Sequence, residues 1–222
     1  MNEHKAAFIE RISAAATHEI LNGLASVGQS CGLMQDLMAL GLTRGWMGKL
    51  KYMLAGRGRP PDAGKRFEKS LVAVNQGMKK ARRTTRALNR FIHSLTPSGE
   101  EEPVHQLLEV TAVLMHPFAG RKKTELEVRD PDRGLVCPVS SFLVYRTLAA
   151  CVDAFVDKAV EDQIYLSCYK QGQNAVCSVQ SLKVKCTEDM SRDLDALRQE
   201  LQAEKCTLKA ASTGFLLVLP LS

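Results

Sequence analysis

The chain of 222 residues is 45% hydrophobic and 24% charged, with a formal net charge of +6 at pH 7. This length and composition exclude a chain that is disordered throughout, and they allow one large domain or two small ones. No run reaches the roughly 18 apolar residues that span a membrane, and the first residues, MNEHKAAFIERIS, carry charges where a signal peptide is apolar. We therefore expect a cytoplasmic protein with no membrane contact.

Cysteine and histidine usage gives no sign of a metal site or a disulfide framework. The seven cysteines are odd in number, include no CxxC pair and lie mostly in apolar runs, which is typical of reduced thiols in a core. The five histidines are scattered without metal-ligand spacing. We expect no metal and no cofactor bound to this chain itself.

Two apolar stripes with helical spacing occupy the first part of the chain. The first stripe recurs every three or four positions and comprises Ile9, Ile12, Ala16, Ile20, Leu24, Val27, Cys31, Met34 and Met38. The second is a heptad seam and comprises Phe67, Leu71, Val74, Met78, Ala81, Thr85, Leu88, Ile92 and Leu95. Each pattern predicts a long helix with one narrow apolar face.

These stripes also predict how the two helices associate. A lone hairpin of such helices leaves apolar surface in water, whereas two hairpins enclose it in a four-helix bundle. We therefore predict that residues 1–97 form a helical hairpin that makes a homodimer. Residues 41–64, which contain several glycines and Trp46, are predicted to form a connecting loop with a short helix, unless the first helix continues beyond Gly41.

The pattern changes after a linker at 98–103 that is rich in Pro and Glu. Beyond it, helices are predicted at 104–118, 139–160 and 190–203, and strands at 124–129, 163–169, 175–184, 206–211 and 214–219. The mixture, with mainly antiparallel strands, predicts an α+β sandwich over residues 104–222. Helices should cover one face of its sheet.

One short motif on the first helix carries groups that can do chemistry. His18 lies about 200° around the helix from the apolar stripe, so its imidazole should face solvent, with Glu19 beside it and Asn22 one turn further on. An imidazole attacks phosphorus through one nitrogen when the other holds a proton, and a carboxylate that accepts this proton's hydrogen bond strengthens the nucleophile. By spacing alone an ordinary surface histidine also explains the motif. The order of helices, linker and sandwich favours the chemical interpretation.

At this motif the chain resembles the histidine kinase family. Residues 16–25, ATHEILNGLA, are similar to the family's phosphoacceptor box, in which the His is followed by an acidic residue and, four places on, by Asn or Thr. The second half resembles the family's ATP-binding domain in outline, including LEV at 126–128 and LAACVDA at 148–154. The resemblance implies a dimerisation and phosphotransfer hairpin followed by an ATPase-like domain.

The second half departs from the family at its nucleotide motifs. Where the family usually carries two asparagines that hold magnesium and phosphates, this chain has Ala149 and Asp153. SLKVK at 181–185 replaces the turn Asp-x-Gly-x-Gly, and residues 188–204 contain no glycine for a lid. Phosphate cradles need exposed backbone N–H groups, so we expect that ATP binding and self-phosphorylation are lost. Asp153 is interpreted as a hydrogen-bonded remnant; a poor magnesium site and residual kinase activity stay open.

An acceptor His with a degenerate ATPase-like domain resembles the dimeric histidine phosphotransferases. The resemblance implies that His18 exchanges a phosphoryl group with response-regulator receiver domains, with a hybrid histidine kinase upstream and Mg²⁺ bound on the receiver. Two alternatives stay open. One is a receiver phosphatase that uses Glu19 and Asn22 to orient water, and the other is a scaffold or inhibitor that binds a kinase or a receiver.

Basic residues lie off the apolar seam of the second helix: Lys79, Lys80, Arg82, Arg83, Arg86 and Arg90. In an antiparallel hairpin the stretch from Arg83 to Arg90 should lie near the level of His18. There Arg83, Arg86 and Arg90 would bind the acidic pocket of a receiver or stabilise a phosphoryl group in transit. A solvated charged face explains them equally well. We expect no nucleic-acid partner, because no recognition helix or aromatic–basic pattern accompanies the run.

Overall fold

A computed structural model describes residues 3–42, 63–96, 101–158 and 160–221. They form two compact units, a helical unit of residues 17–85 and an α/β unit of residues 86–222 together with residues 1–16. The predicted connection, including Trp46, lies almost wholly outside the described residues, as do residues 97–100 of the linker region. The division into domains at 97 and 104 stays a prediction.

The described helices and strands follow one another in this order. The helices are α1 (Glu3–Leu42), α2 (Ala63–His93), α3 (Val104–Arg121), α4 (Ser141–Val156), α5 (Glu188–Arg192) and α6 (Asp195–Ala203). The strands are β1 (Glu102–Pro103), β2 (Glu125–Val128), β3 (Val136–Cys137), β4 (Gln163–Gln171), β5 (Asn174–Ser181), β6 (Thr207–Ala211) and β7 (Gly214–Pro220). The predicted combination of a long helical hairpin with an α+β sandwich is therefore confirmed.

The helical unit pairs α1 with α2 in antiparallel directions. Gly23 on α1 lies opposite Gly77 on α2. One turn before Gly23, Glu19 pairs with Lys80, which lies one turn after Gly77. The two backbones approach closely, because a Cβ built on Gly77 would lie 2.9 Å from the carbonyl oxygen of Gly23 and 2.9 Å from Cγ2 of Val27. Only a residue without a side chain fits this crossing.

The predicted heptad seam of α2 is only partly buried within one chain. In the helical unit its members Leu71 and Met78 are 45% and 53% exposed, whereas Ala81 is buried. The buried positions of this stretch are small or polar: Ser70, Gly77, Ala81 and Thr84. The hydrophobic pattern therefore marks a face that the described residues of one chain leave partly exposed.

The α/β unit contains a five-stranded mixed sheet in the order β2-β4-β5-β7-β6. β2 is parallel to β4, and the other neighbours are antiparallel. The β4–β5 hairpin turns between the strands predicted at 163–169 and 175–184, with Gln171 paired to Asn174 and Gly172 at φ +62°, which favours glycine. The short β1–β3 ladder was not expected from the sequence.

The core of this unit lies between the sheet and its helices. Along β4 and β7 the alternate residues that join the core are apolar, as shown by Ile164, Leu166, Leu217 and Leu219. Leu107 on α3 and Leu148 on α4 are completely buried in the same cluster. The helix predicted at 139–160 is shorter, Ser141–Val156, and the helix predicted at 190–203 is two helices separated by a turn at residues 193–194.

The first turns of α1 belong to the α/β unit and close its core. Phe8 packs edge-on against Phe91 and Phe142, with ring centroids 5.9 and 6.2 Å away. Phe91 also meets Tyr145 edge-on at 6.0 Å. Among the described residues, no helix has the length and apolar character needed to cross a membrane.

Candidate functional site

His18 lies on an exposed part of α1, as its position on the helix predicts. Its ring nitrogen Nδ1 is 3.1 Å from the amide nitrogen of Asn22, which is also exposed. Residues four apart on a helix lie one above the other, so this contact follows from the spacing of the motif. Nε2 makes no hydrogen bond to any described residue, and it is the ring nitrogen that an incoming group can reach.

Glu19 does not contact the His18 ring in this structure. Its carboxylate forms an ion pair with Nζ of Lys80 on α2, and the Glu19 side chain is 14% exposed. The physical reason is that neighbouring side chains on a helix point about 100° apart, so one faces solvent while the next faces the second helix. The predicted assistance of His18 by Glu19 stays a prediction. The sequence placed Lys80 among the basic residues of the second helix but did not predict its pairing with Glu19, which depends on the antiparallel arrangement of the helices.

The basic residues predicted to meet a partner are all exposed. Arg83 belongs to the helical unit. It lies one turn after Lys80 on α2, and the pairing of Lys80 with Glu19 puts this part of α2 near the level of His18. Arg86 and Arg90 belong to the α/β unit. No hydrogen bond or ion pair joins the side chains of Arg83 and Arg86 to other residues in the described ranges. Arg90 lines a cleft that also contains His93.

On α4, the two positions that differ from the kinase pattern are filled by other contacts. Ala149 is buried. Asp153 accepts a hydrogen bond from the guanidinium of Arg11, which stacks 4.8 Å from the centre of the Phe118 ring. Burial raises the pKa of Asp153, and the contact with Arg11 opposes this rise. The Asp153 carboxylate is therefore engaged by an arginine from α1.

A second group of ion pairs lies beside this contact. Arg146 on α4 binds both carboxylate oxygens of Glu200 on α6, at 2.8 and 2.9 Å. Lys5 on α1 lies 3.3 Å from the same carboxylate. The hydrogen bond from Arg146 is the main reason why the pKa of Glu200 is lowered. These pairs attach the first turns of α1 to α4 and α6.

The loop at 181–185, where the family recognises adenine, is closed by an internal network. Asp162, which is 2% exposed, accepts hydrogen bonds from the backbone N–H of Lys183 at 3.1 Å and from the Ser181 hydroxyl. The Ser181 hydroxyl oxygen in turn accepts from the N–H of Val184 at 2.8 Å. These backbone donors are occupied by the chain's own side chains rather than exposed to a ligand.

The region 188–204, where the family has its lid, is packed into the core. Thr187 caps α5 by accepting from the N–H of Met190 at 3.4 Å. Met190, Leu194 and Leu201 are buried at 1%, 3% and 0% exposure. Apolar side chains, rather than glycines, therefore occupy this segment.

The cysteines are free thiols, and five of the seven are buried; Cys31, which lies in the predicted apolar stripe, is exposed. Burial raises the pKa of Cys168 to about 11 and that of Cys206 to about 12. Such thiols are uncharged at neutral pH and therefore unreactive. Within the described ranges, no group of three His, Cys, Asp or Glu side chains could hold a metal ion.

Comparison with known proteins gives structural relatives but no sequence relatives. No protein-family model matches the chain, and no curated protein matches it. Similar solved structures include histidine kinase AdeS of Acinetobacter baumannii, with 15% identity, 79% of this chain and 93% of that chain covered, and a TM-score of 0.48. The blue-light activated histidine kinase EL346 of Erythrobacter litoralis has 15% identity, coverage of 74% and 64%, and a TM-score of 0.49.

A third similar structure is histidine kinase ThkA in complex with the response regulator TrrA. The match to ThkA has 13% identity and a TM-score of 0.43, and it covers 99% of this chain and 64% of the ThkA chain. All three are histidine kinases, the family that the sequence motif resembles.

Proposed function

We propose that this protein is a histidine phosphotransfer protein of two-component signalling, acting in the cytoplasm. His18 takes a phosphoryl group from the aspartyl phosphate of a response-regulator receiver domain and passes it to another receiver. The main support is the His18 side chain itself, which is exposed, bound at Nδ1 by Asn22 and open at Nε2. A hybrid histidine kinase would supply the first receiver.

The transfer is a displacement at phosphorus. A bond forms between Nε2 and phosphorus while the bond between phosphorus and the receiver's carboxylate oxygen breaks, and the carboxylate leaves with its electron pair. For this attack Nδ1 must carry the ring proton, so the Asn22 amide, whose nitrogen faces Nδ1 in this structure, turns its oxygen toward Nδ1 and accepts the hydrogen bond. The ring becomes positively charged on transfer. This chain supplies a positioned nucleophile, and the receiver with its Mg²⁺ stabilises the charge on the phosphoryl group.

Self-phosphorylation with ATP is not part of the proposal. Arg11 donates a hydrogen bond to Asp153, Asp162 and Ser181 accept from the backbone N–H groups of Lys183 and Val184, and a packed helix pair replaces the lid. A nucleotide would have to displace these contacts. Its phosphates would meet no glycine-rich loop of exposed N–H groups.

We include a homodimer in the proposal because of the apolar surface of the helical unit. Large apolar side chains there are more than a third exposed: Leu21, Leu24, Leu33, Met38, Leu71, Val72 and Met78. Leu71 and Met78 are seven residues apart in the heptad seam, so they lie on one face of α2. A second copy of the same hairpin supplies a matching apolar face.

A phosphatase is the second candidate, favoured by one observation. The Asn22 amide is exposed and adjacent to His18, so it can orient a water molecule toward a docked aspartyl phosphate. In that reaction the water oxygen bonds to phosphorus and no phosphohistidine forms. A scaffold that only binds a receiver or kinase would need neither side chain.

Labelling experiments separate these functions. Purified protein is incubated with radiolabelled ATP alone, and then with a receiver whose aspartate carries labelled phosphate. We expect label from the receiver but not from ATP, and none on the variant His18→Ala. His116→Ala removes another exposed histidine and serves as the matched control.

Each other outcome identifies a different function. Label taken from ATP would overturn the loss of self-phosphorylation. Loss of receiver phosphate without label on the protein, abolished by Asn22→Ala, would identify a phosphatase. No label and no loss of receiver phosphate would identify a scaffold.

A further inference from the structure

Lys80 forms an ion pair close to His18. Its ammonium group pairs with the Glu19 carboxylate, and Glu19 directly follows His18 in the chain. The Glu19 side chain is 14% exposed, whereas that of Lys80 is 51% exposed. The carboxylate is therefore held in the groove between α1 and α2, where water screens its charge less than at the surface.

The close crossing of the two helices keeps this pair together. Gly23 and Gly77 allow backbone contact one turn away, so α2 brings Lys80 within reach of α1. Mutation of either glycine to a larger residue would push apart the two helices that carry Glu19 and Lys80. The ion pair is thus a consequence of the helix packing and not of a chance surface encounter.

Both helices carry charged residues near His18. On α1, Glu19 is the only acidic residue within one turn of His18. On α2, the basic residues of the facing turns are Lys79, Lys80, Arg82 and Arg83. Of these four, Lys80 is the one that forms an ion pair with a described residue of α1. The carboxylate nearest to the nucleophile is therefore neutralised by one identifiable lysine.

This neutralisation matters because phosphoryl acceptance makes the imidazole ring positively charged. A free carboxylate beside the ring stabilises that charge, in the way that the buried aspartate of a catalytic triad stabilises its histidine. A carboxylate that is already paired with an ammonium group stabilises it less, because the two charges cancel at a distance. Lys80 should therefore slow the attack of His18 on phosphorus.

We infer that Lys80 is a positioning residue of the phosphoryl-acceptor site, which holds Glu19 in the interhelical groove and withholds its charge from His18. The inference rests on the proposed function, because it concerns how His18 accepts a phosphoryl group. It assigns Lys80 a role through Glu19 and no contact with the phosphoryl group itself. Without Lys80, the charge of Glu19 is no longer compensated by a paired ammonium group, and it stabilises the charged ring through space.

The test uses phosphoramidate, a small phosphoryl donor that needs no receiver. Nε2 bonds to phosphorus, the phosphorus–nitrogen bond of the donor breaks, and ammonia leaves. Phosphohistidine on the full-length protein is measured by mass spectrometry, with His18→Ala as the blank. We expect Lys80→Met to accept phosphate about threefold to fivefold faster than wild type, a size typical of a partly exposed ion pair.

Three further variants separate this role from others. Lys80→Arg keeps the ion pair and should react at the wild-type rate. Lys79→Met removes the same charge from the neighbouring exposed position, which forms no ion pair with a described residue, and should also leave the rate unchanged. In the Glu19→Gln background, Lys80→Met should have no effect, because the carboxylate on which Lys80 acts is absent.

The remaining results are decisive against the inference. An unchanged or slower rate in Lys80→Met overturns it, and so does a gain that persists in the Glu19→Gln background, which would show a direct charge effect. A general packing role would lower the melting temperature of Lys80→Met without the dependence on Glu19. Failure of receivers to label His18 overturns the proposed function but leaves the phosphoramidate comparison intact.

Discussion

The two units differ most in what they do with large apolar side chains. In the α/β unit the bulkiest ones, such as Phe155, Phe215 and Leu148, are 0–1% exposed. In the helical unit Leu21, at 59% exposure, and Met78, at 53%, lie in solvent. Each large apolar side chain left in water forgoes about 1.5–3 kcal/mol of burial energy. Among the described residues, the α/β unit buries its largest apolar side chains and exposes a few at its surface, such as Val160 and Leu182, whereas the helical unit leaves a series of them exposed along both helices.

Polar side chains show the opposite distribution. In the α/β unit Asp162 and Arg146 are at most 9% exposed, and both are fully engaged by neighbours. In the helical unit His18 and Asn22 are exposed, and one ring nitrogen of His18 is open. Buried, satisfied polar groups hold a fold together, while an exposed nucleophile can react. The proposed phosphoryl transfer therefore belongs to the helical unit.

The same substitution in each unit tests the first contrast. Leu148→Ala, at a completely buried position of α4, should lower the free energy of unfolding by about 2–5 kcal/mol, because it leaves a cavity. Leu24→Ala, at a position with 48% exposure, should cost less than about 1 kcal/mol in dilute protein. Urea unfolding followed by circular dichroism measures both. Equal losses would show that the helical unit is packed within a single chain.

Association of the helical unit gives the next largest expected effect. Leu71→Glu combined with Met78→Glu puts two charges on the exposed seam of α2 and should weaken the homodimer about 100-fold or more, because unpaired charges would be buried. Sedimentation velocity over a dilution series measures this. Asn75→Glu combined with Gln76→Glu adds the same charge at exposed polar positions and should leave the dimer intact. A monomeric wild type at high concentration would contradict the proposed dimer.

Much of the fold could be predicted because local patterns specify it. Strands β4 and β7 and the turn between β4 and β5 could be predicted from the sequence, because short apolar runs bounded by turn residues are typical of strands and a tight turn favours glycine. The two-residue strands β1 and β3 were missed, because they are too short for any period. The turn at residues 193–194 was also missed, since the apolar spacing continues through it.

The candidate site was predicted less completely, for a physical reason. The contact of His18 with Asn22 depends on spacing within one helix, which the sequence shows. The pairing of Glu19 with Lys80 depends on the register between two helices, which small residues such as Gly23 and Gly77 set and which hydrophobic patterns do not report. The contact of Arg11 with Asp153 joins positions far apart in the chain and left no local signal.

Two glycines of the helical unit lie in contrasting surroundings, one at the helix crossing and one in open space. Gly77→Ala should destabilise the protein by about 1–3 kcal/mol, because its Cβ would meet the Gly23 carbonyl and the Val27 side chain at 2.9 Å. Gly28→Ala, with no neighbouring atom within 4 Å, should stabilise by up to about 1 kcal/mol through helix propensity. Thermal unfolding of the two variants gives the signs. A stabilising Gly77→Ala would show that the helices do not cross at this point.

The smallest expected effects concern two carboxylates of the α/β unit whose pKa values move in opposite directions. Burial raises the pKa of Asp153, so the folded state binds its proton more tightly than the unfolded state does, and stability falls as the pH rises from the ordinary Asp range through the raised pKa. The Arg146 hydrogen bond lowers the pKa of Glu200, so its contribution is present above the ordinary Glu range and is lost as the pH falls through the lowered pKa.

Replacing each carboxylate by its uncharged amide should therefore change the free energy of unfolding in opposite directions near pH 7. Asp153→Asn should stabilise the protein, since it removes a partly buried charge that Arg11 does not fully compensate, and Glu200→Gln should destabilise it, each by less than about 1 kcal/mol. Both differences from wild type should shrink at about pH 4, where the carboxyls take up protons. Urea unfolding at the two pH values measures them. If both variants lose stability at neutral pH, the ion pair with Arg11 outweighs the burial of Asp153, and α4 keeps this carboxylate because it stabilises the fold.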